Sequence, residues 1–269
     1  MIRLFLISLA FLLPSIFYKA LAQSPKDGPQ VQKFSLGVKA GPSVTWGTYP
    51  DKELRDQFKT RPKIGVGGAF FISFPLKKEY SYVAEAGYAL GGRKVAIPSS
   101  NSERIHNATY QFATMSMALR KAFDVKLFKN VPTKLFFNVG PNIQYWVNGK
   151  GKFGPVDYKI KFDVPPDGDL YTVYIQDANR WLFGFDVGVG GDAPIGRRQK
   201  IRLELRATFG QTYLGKKNSS TSYATLSWEE SLKTNLKTLS FTGAYTLDFD
   251  RRAMKMGKST KDKMIKKRR

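Results

Sequence analysis

Two groups of residues in this chain have the types and spacing to do chemistry. Six charges, Lys39, Glu85, Asp186, Arg202, Glu204 and Arg206, stand in runs of apolar and small residues with an every-second-residue pattern. Carboxylates beside cations can move protons or carry ions. In a narrow lumen the same set would instead pair off and fill space, since buried charge must be compensated. The second group is His106, the one histidine, in a polar stretch with Ser99, Ser100 and Ser102. Nucleophilic catalysis of the lipase, acyltransferase or protease kind needs a nucleophile, a base and an orienter, and His106 is the sole base on offer. The plainer readings are a structural plug for the six charges and a solvated loop side chain for the histidine. They are preferred here, so neither enzyme activity nor a metal or cofactor is expected. The chain has no cysteine, which excludes disulfides, thiol nucleophiles, cysteine metal sites and a lipidated N-terminal cysteine.

The elements that would position these charges are clearest at 181–209. Trp181, Phe183, Phe185, Val187 and Val189 alternate with Gly184, Asp186, Gly188 and Gly190. After a turn, Ile201, Leu203, Leu205, Ala207 and Phe209 alternate with Arg202, Glu204, Arg206 and Thr208. A period of two means strands. An apolar face opposite one of glycine and mixed charge is the pattern of a membrane barrel strand. A soluble lipocalin-like barrel is the alternative, with the charges turned to solvent.

The same unit recurs along the chain. Phe34, Leu36, Val38 and Ala40 open the first strand, and Ile64 to Phe74 alternate in the second. Tyr80, Tyr82, Ala84, Ala86 and Tyr88 share a face of the third, opposite Glu85. The fourth changes phase between Tyr110/Phe112 and Met115/Met117/Leu119, which a bulge near Ala113 would reconcile. In the fifth, Phe137, Val139, Ile143 and Tyr145 alternate, and Pro141 predicts a bulge or an unpaired amide. The stretch 147–180 reads as an external hairpin, with Tyr158 and Phe162 on one arm, Tyr171 and Tyr174 on the other, and a turn at 165–168. Its arms are shorter than the roughly 9–11 residues a tilted span needs, which favours eight wall strands over ten. The 181–209 pair supplies strands six and seven, and Leu239 to Phe249 the eighth. Connections alternate between long and short, as in an up-and-down outer-membrane barrel with long external loops and short periplasmic turns. Aromatic girdles are expected from Trp46, Tyr145, Trp181 and Tyr213 on the outer side. Phe74, Tyr80, Phe123, Phe136 and Phe249 would form the inner one. The fold class is therefore all-β, an eight-stranded antiparallel transmembrane barrel.

The ends read as separate pieces. Residues 1–22 have the charge, apolar stretch and Ala20-Leu21-Ala22 cleavage site of a signal peptide, followed by a polar periplasmic leader, 23–33. The barrel spans 34–249, and 250–269 is a basic periplasmic tail. The net charge of +23 raises the question of nucleic acid, which export makes an improbable partner. An anionic membrane surface fits better. Arg251, Arg252, Lys255, Lys258, Lys261, Lys263, Lys266, Lys267, Arg268 and Arg269 concentrate that charge in the tail. They could simply be solvated, or grip inner-leaflet lipid, peptidoglycan or an acidic periplasmic subunit.

The segments KLFFNVGPNIQYWVNG, FGFDVGVGGDAPIG, RLELRATFG and LSFTGAYTLDF resemble the PorT-like family of outer-membrane β-barrels from Bacteroidota. FSLGVKAGPSVTW is similar to that family's opening strand and FATMSMALRKAF to its fourth. The resemblance covers most of the chain after the signal peptide and rests on strand and turn patterns. It implies an eight-stranded barrel, and a role like that of the namesake, an accessory component of type IX secretion and gliding motility. The extension past Phe249 departs from the usual aromatic last strand. The expected function is a non-enzymatic scaffold in an envelope complex, in contact with outer-membrane lipid and protein partners. A surface adhesin or receptor using 147–180, or a small-solute pore, are the alternatives.

Overall fold

The computed structural model describes residues 33–76, 79–97, 104–128, 131–154, 156–162, 172–175, 177–196, 198–215, 220–223 and 226–250. Thirteen strands and a six-residue helix occur among them: β1 (Lys33–Thr48), α1 (Lys52–Gln57), β2 (Lys59–Arg61), β3 (Lys63–Pro75), β4 (Tyr80–Ile97), β5 (Arg104–Phe128), β6 (Val131–Phe153), β7 (Val156–Phe162), β8 (Thr172–Ile175), β9 (Trp181–Pro194), β10 (Gln199–Gly210), β11 (Ser220–Tyr223), β12 (Leu226–Ser231) and β13 (Asn235–Asp250). Eight of them close a ring of antiparallel pairs in the order β1, β3, β4, β5, β6, β9, β10, β13 and back to β1. The expected eight-stranded barrel is what forms.

Alternation decides the faces. Val38, Val66, Phe70, Met115, Phe137, Val189, Leu203 and Phe241 all point out of the ring and are exposed. Glu85, Asp186, Glu204 and Arg206, on the other phase, point in and are buried, and Lys39 points in with its side chain 9% exposed. A charged interior behind an apolar exterior is the inverse of a soluble barrel, in which apolar side chains fill the inside. At one end the strands meet in short links, between β3 and β4, β5 and β6, and β9 and β10. At the other, β4, β5 and β6 run well past the ring.

The phase change in β5 is not a bulge in that strand. β4 and β5 stay in register from Tyr80 to Ile97, and the shift lies between β5 and β6, where Gln111 faces Asn148 and Phe112 faces Trp146, leaving Val147 as the extra residue on β6. Tyr110 and Phe112 are apolar on the inward phase because the barrel's long-loop end has an apolar core. Met115 and Leu119 are apolar on the outward phase because lower down the outside is apolar. One strand passes through two environments without an inserted residue.

Pro141 also keeps register. The ladder between β5 and β6 is interrupted between Ser116↔Asn142 and Leu119↔Val139 with no shift, while Pro141 stays paired with Phe185 on β9. The unpaired-amide reading therefore describes it better than a bulge. The preceding glycine lets the strands close over the gap: a Cβ on Gly140 would stand 1.9 Å from the carbonyl oxygen of Met117. Gly41-Pro42 repeats the arrangement on β1, where a Cβ on Gly41 would stand 2.0 Å from the carbonyl of Phe241. We expect Gly140→Val to lower barrel stability by about 1–3 kcal/mol through overpacking, read as a drop in the urea midpoint of the refolded protein. An unchanged midpoint would show that the wall can spread there.

The stretch 147–180 departs from the expected hairpin. β7 pairs antiparallel with the extension of β6, turning at Gly154, whose φ of +56° is the left-handed region that suits glycine. β8 then lies parallel to β7, Lys159 opposite Thr172 and Phe162 opposite Ile175. The reason is that β6 does not stop near Trp146: it continues to Phe153 and takes the partner edge that the sequence pattern alone would give to 172–175. β11 and β12 extend this outer sheet within what reads as a polar loop.

Candidate functional site

The lumen holds the residues with the richest chemistry, and glycines on facing strands give them room. Arg206 and Glu204 on β10 lie opposite Gly188 and Gly190 on β9. Arg206 is the hub. Its Nη1 and Nη2 donate to Glu85 Oε2 and Oε1 at 2.6 and 2.8 Å, its Nε donates to Glu204 Oε1 at 2.6 Å, and Nη1 also approaches Asp186 Oδ2 at 3.3 Å. Lys39 Nζ adds a bond to Glu85 Oε2 at 2.6 Å. Neutral donors add further bonds: Ser116 to Glu85, Thr208 and Asn142 to Asp186, and Asn138 to Glu204 Oε1. Two cations against three carboxylates, tied by charge-assisted bonds, make a cross-brace spanning β1, β4, β9 and β10.

Arg202 is the member of the predicted set that does not join this hub. It makes a two-pronged pair with Asp192, at 2.7 and 3.0 Å, nearer the short-turn end, and its guanidinium lies over Phe71 and Phe136. Beside it Arg120 donates its Nε to Asn138 Oδ1 at 2.7 Å and stacks 4.0 Å over Phe136. Asn138 thus links this lower layer to Glu204. Phe136 points into the lumen as the partner of two guanidinium groups, so the expectation of an inner-girdle residue is corrected: its phase is that of Asn138, not of Phe137. Arg120, Asp192, Asn138 and Asn142 were not picked out from the sequence, yet each sits on the inward phase of its strand, which was the available signal.

Above the hub is a cavity of about 120 Å³ lined by Lys39, Glu85, Asp186 and Arg206 of the hub and by hydroxyl and amide side chains, including Ser43, Thr45, Thr114, Gln144 and Thr238. Over it the inner faces of the extended strands form an apolar core. Trp146, fully buried, packs edge-on against Tyr110 at 4.6 Å and Phe162 at 4.9 Å, with Phe112, Ile160, Ile175, Leu182 and Leu214 around them. Arg93 bridges this core to the α1 side, donating to the hydroxyls of Tyr110 and Tyr49 at 3.1 Å each. At the rim, Lys233 donates to Asp51 at 2.8 Å, and that bond raises the lysine's pKa above its ordinary value.

His106 belongs to this cap and not to a loop. β4 and β5 continue through the region, pairing Val95 with His106, and the ring is buried with its Nε2 bonded to the Tyr158 hydroxyl and its face against Tyr158 and Phe153. This corrects the reading of His106 as a solvated loop residue, and it withdraws the ring from any surface nucleophile. Ser99, Ser100 and Ser102 lie outside the described residues. Tyr158 is likewise corrected as a surface contact, because it faces the core; Phe162 is half-buried against Trp146. Tyr171 and the Tyr174 side chain lie outside the described residues, as do the expected signal peptide, nearly all of the expected leader and the basic residues from Arg251 to Arg269.

The ring thus has eight strands, apolar outside and charged within. The model of the outer membrane protein beta-barrel domain family matches residues 21–213. The chain belongs to that family. It is an outer-membrane β-barrel protein, its exposed apolar face in contact with lipid. The ring closes only with β13, beyond the matched residues. Among curated proteins none matches in sequence. Similar solved structures include OprG from Pseudomonas aeruginosa, 9% identical over 83% of this chain and 98% of that one with a TM-score of 0.46. Neisserial surface protein A is 10% identical over 80% and 97%, with a TM-score of 0.42. Ail, the attachment invasion locus protein of Yersinia pestis, is 8% identical over 82% and 100%, with a TM-score of 0.36. In such a barrel the short-turn end is periplasmic and the extended end external.

Proposed function

We propose that this barrel is a non-enzymatic accessory or scaffold subunit of an envelope machine of the type IX secretion or gliding kind, and that it engages its partners through its basic periplasmic end. The observation that carries this reading is the state of the lumen. Its six predicted charges are paired with one another or with Asp192, and the apolar Trp146 core lies over the cavity above the hub. Charges tied together in this way brace the wall, which favours the surfaces as the working parts. Residues 1–22 act as the export signal, and the tail supplies ten basic residues against two aspartates at the periplasmic end. The likeness of its strand motifs to the PorT-like barrels favours the secretion or gliding branch.

The test uses full-length protein in mild detergent and a version ending at Asp250, each as bait for a periplasmic extract. The full chain is expected to retain an acidic protein that elutes with salt, and the shortened chain to lose it, since each basic residue near an anionic surface contributes about 1 kcal/mol. Identical, salt-independent recovery with both baits would overturn the reading. Retention of peptidoglycan or anionic lipid in place of a protein would reject the scaffold role. The adhesin alternative is weakened by the burial of Tyr158.

A further inference from the structure

Above the lipid-facing belt the outer surface of one side of the barrel changes character. On β5 and β6 the outward phase carries Met115, Ala113, Ile143 and Tyr145 toward lipid. Beyond the extra residue Val147, the same surface presents Asn148, Lys150 and Lys152, and β7 adds Asp157, Lys159 and Lys161. The register sets Lys150 directly opposite Lys159, and Lys152 opposite Asp157. Asn107 lies between Lys152 and Lys94 of β4. Lys63 is drawn to the same region by Asn107 Oδ1 and by Thr109 Oγ1 at 2.6 Å, close enough to Lys94 and Lys150 for mutual repulsion.

Like charges directly opposite one another destabilise a strand pair. None of the ion pairs among the described residues includes Lys94, Lys150, Lys152, Lys159 or Lys161. A cluster of this kind, five lysines against the single Asp157, raises the local concentration of anions. Its direction and height narrow the choice of anion. The lysines point sideways, in continuation of the surface that lower down faces acyl chains, and not toward the tip of the external sheet. Lys150 is five residues beyond Tyr145, one of them the extra residue. At about 3.3 Å per residue and a tilt of roughly 40°, it stands about 10 Å above the aromatic girdle. Girdle aromatics sit at the level of the head groups, so the Lys150 backbone stands just above them and its long side chain can reach back to their phosphates.

We propose that the outward face of β4–β7, through Lys94, Lys150, Lys152, Lys159 and Lys161, docks the phosphate groups of the outer-leaflet glycolipid. The barrel would then carry a preferred lipid on one side, at the foot of its external sheet. This role is independent of the periplasmic end and of any partner there.

The experiment titrates full-length protein in a zwitterionic detergent with lipopolysaccharide, either intact or with its phosphates removed. Intact lipopolysaccharide is expected to bind at least about tenfold more tightly than the dephosphorylated form, and less tightly as salt rises. A variant carrying Lys150→Gln, Lys152→Gln, Lys159→Gln and Lys161→Gln should lose about tenfold or more, whereas four lysine-to-arginine changes should keep the affinity. The single changes Lys150→Gln and Lys159→Gln each relieve a like-charge pair. They are expected to weaken binding by about threefold without lowering the unfolding midpoint, which keeps the test independent of the folding of the fourfold variant. Equal binding of the two lipopolysaccharides, or undiminished binding by the glutamine variants, would overturn the proposal. Tighter binding to heparin than to intact lipopolysaccharide would overturn it too, by assigning the face to a soluble polyanion.

Discussion

Arg206→Met is expected to lower the unfolding free energy of the barrel by about 3–5 kcal/mol, the usual cost of leaving buried charge without its partner. Among the described residues Arg206 is the one cation paired with all three carboxylates of the hub, and without it Glu85, Asp186 and Glu204 keep only the Lys39–Glu85 ion pair. Methionine preserves much of the volume, so the loss reports charge rather than a cavity. The measurement is a urea titration of refolded protein in detergent, followed by heat-modifiable mobility. A double-mutant cycle sharpens it: adding Glu85→Gln to Arg206→Met should restore part of the stability, with a coupling of about 1–3 kcal/mol. If Arg206→Met shifts the transition by less than about 0.5 kcal/mol, the ladder hydrogen bonds hold the wall unaided and the hub is not a brace.

Trp146→Ala should have an effect of similar size in a different place. Truncating a buried aromatic costs about 3–5 kcal/mol, and Trp146 is the central ring of the external core. The strands that depend on it most are β7, which joins the ring only along the extension of β6, and β8, which pairs with β7 and β11. The expected outcome is local opening: amide exchange of β7 and β8 accelerates by two orders of magnitude or more, while β1, β3 and β13 keep their protection. This follows from the general finding that proteins open in separable cooperative units. Equal loss of protection around the whole ring would show that cap and wall unfold as one.

The two predictions fall on opposite sides of what the sequence made legible. Arg206, Glu204 and Asp186 could be found by counting in twos, because a strand that faces lipid on one side leaves its other phase nowhere to go but the lumen. Their partners could not be assigned: Arg202 and Arg206 share a strand and a phase, yet one pairs with Asp192 and the other with Glu85, which depends on stagger between strands. The external core was hidden for another reason. Tyr110, Phe112 and Trp146 are apolar and inward where the lower half of the same strands is apolar and outward, so one period-two pattern carries two opposite meanings along its length. The extra residue at Val147 then flips the phase once more, and with it the lysine face of β6 and β7. His106 looked like a loop residue because short polar side chains surround it, although the strand pairing runs straight through.

The closing seam of the ring joins Phe34 to Phe249 and Leu36 to Leu247, the two ends of the described chain. A seam between the most distant parts of a sequence cannot be sewn until the last strand has been made. Until then β1 and β10 each present a bare, apolar edge, the kind that recruits strands from other chains. Closure of the ring is therefore expected to be its last step. Loop-closure entropy makes such long-range pairing slow, although each doubling of length adds only about 0.6 kcal/mol. A protein cut short before β13 should accumulate as an open sheet, vulnerable to proteases, because half of the seam is missing.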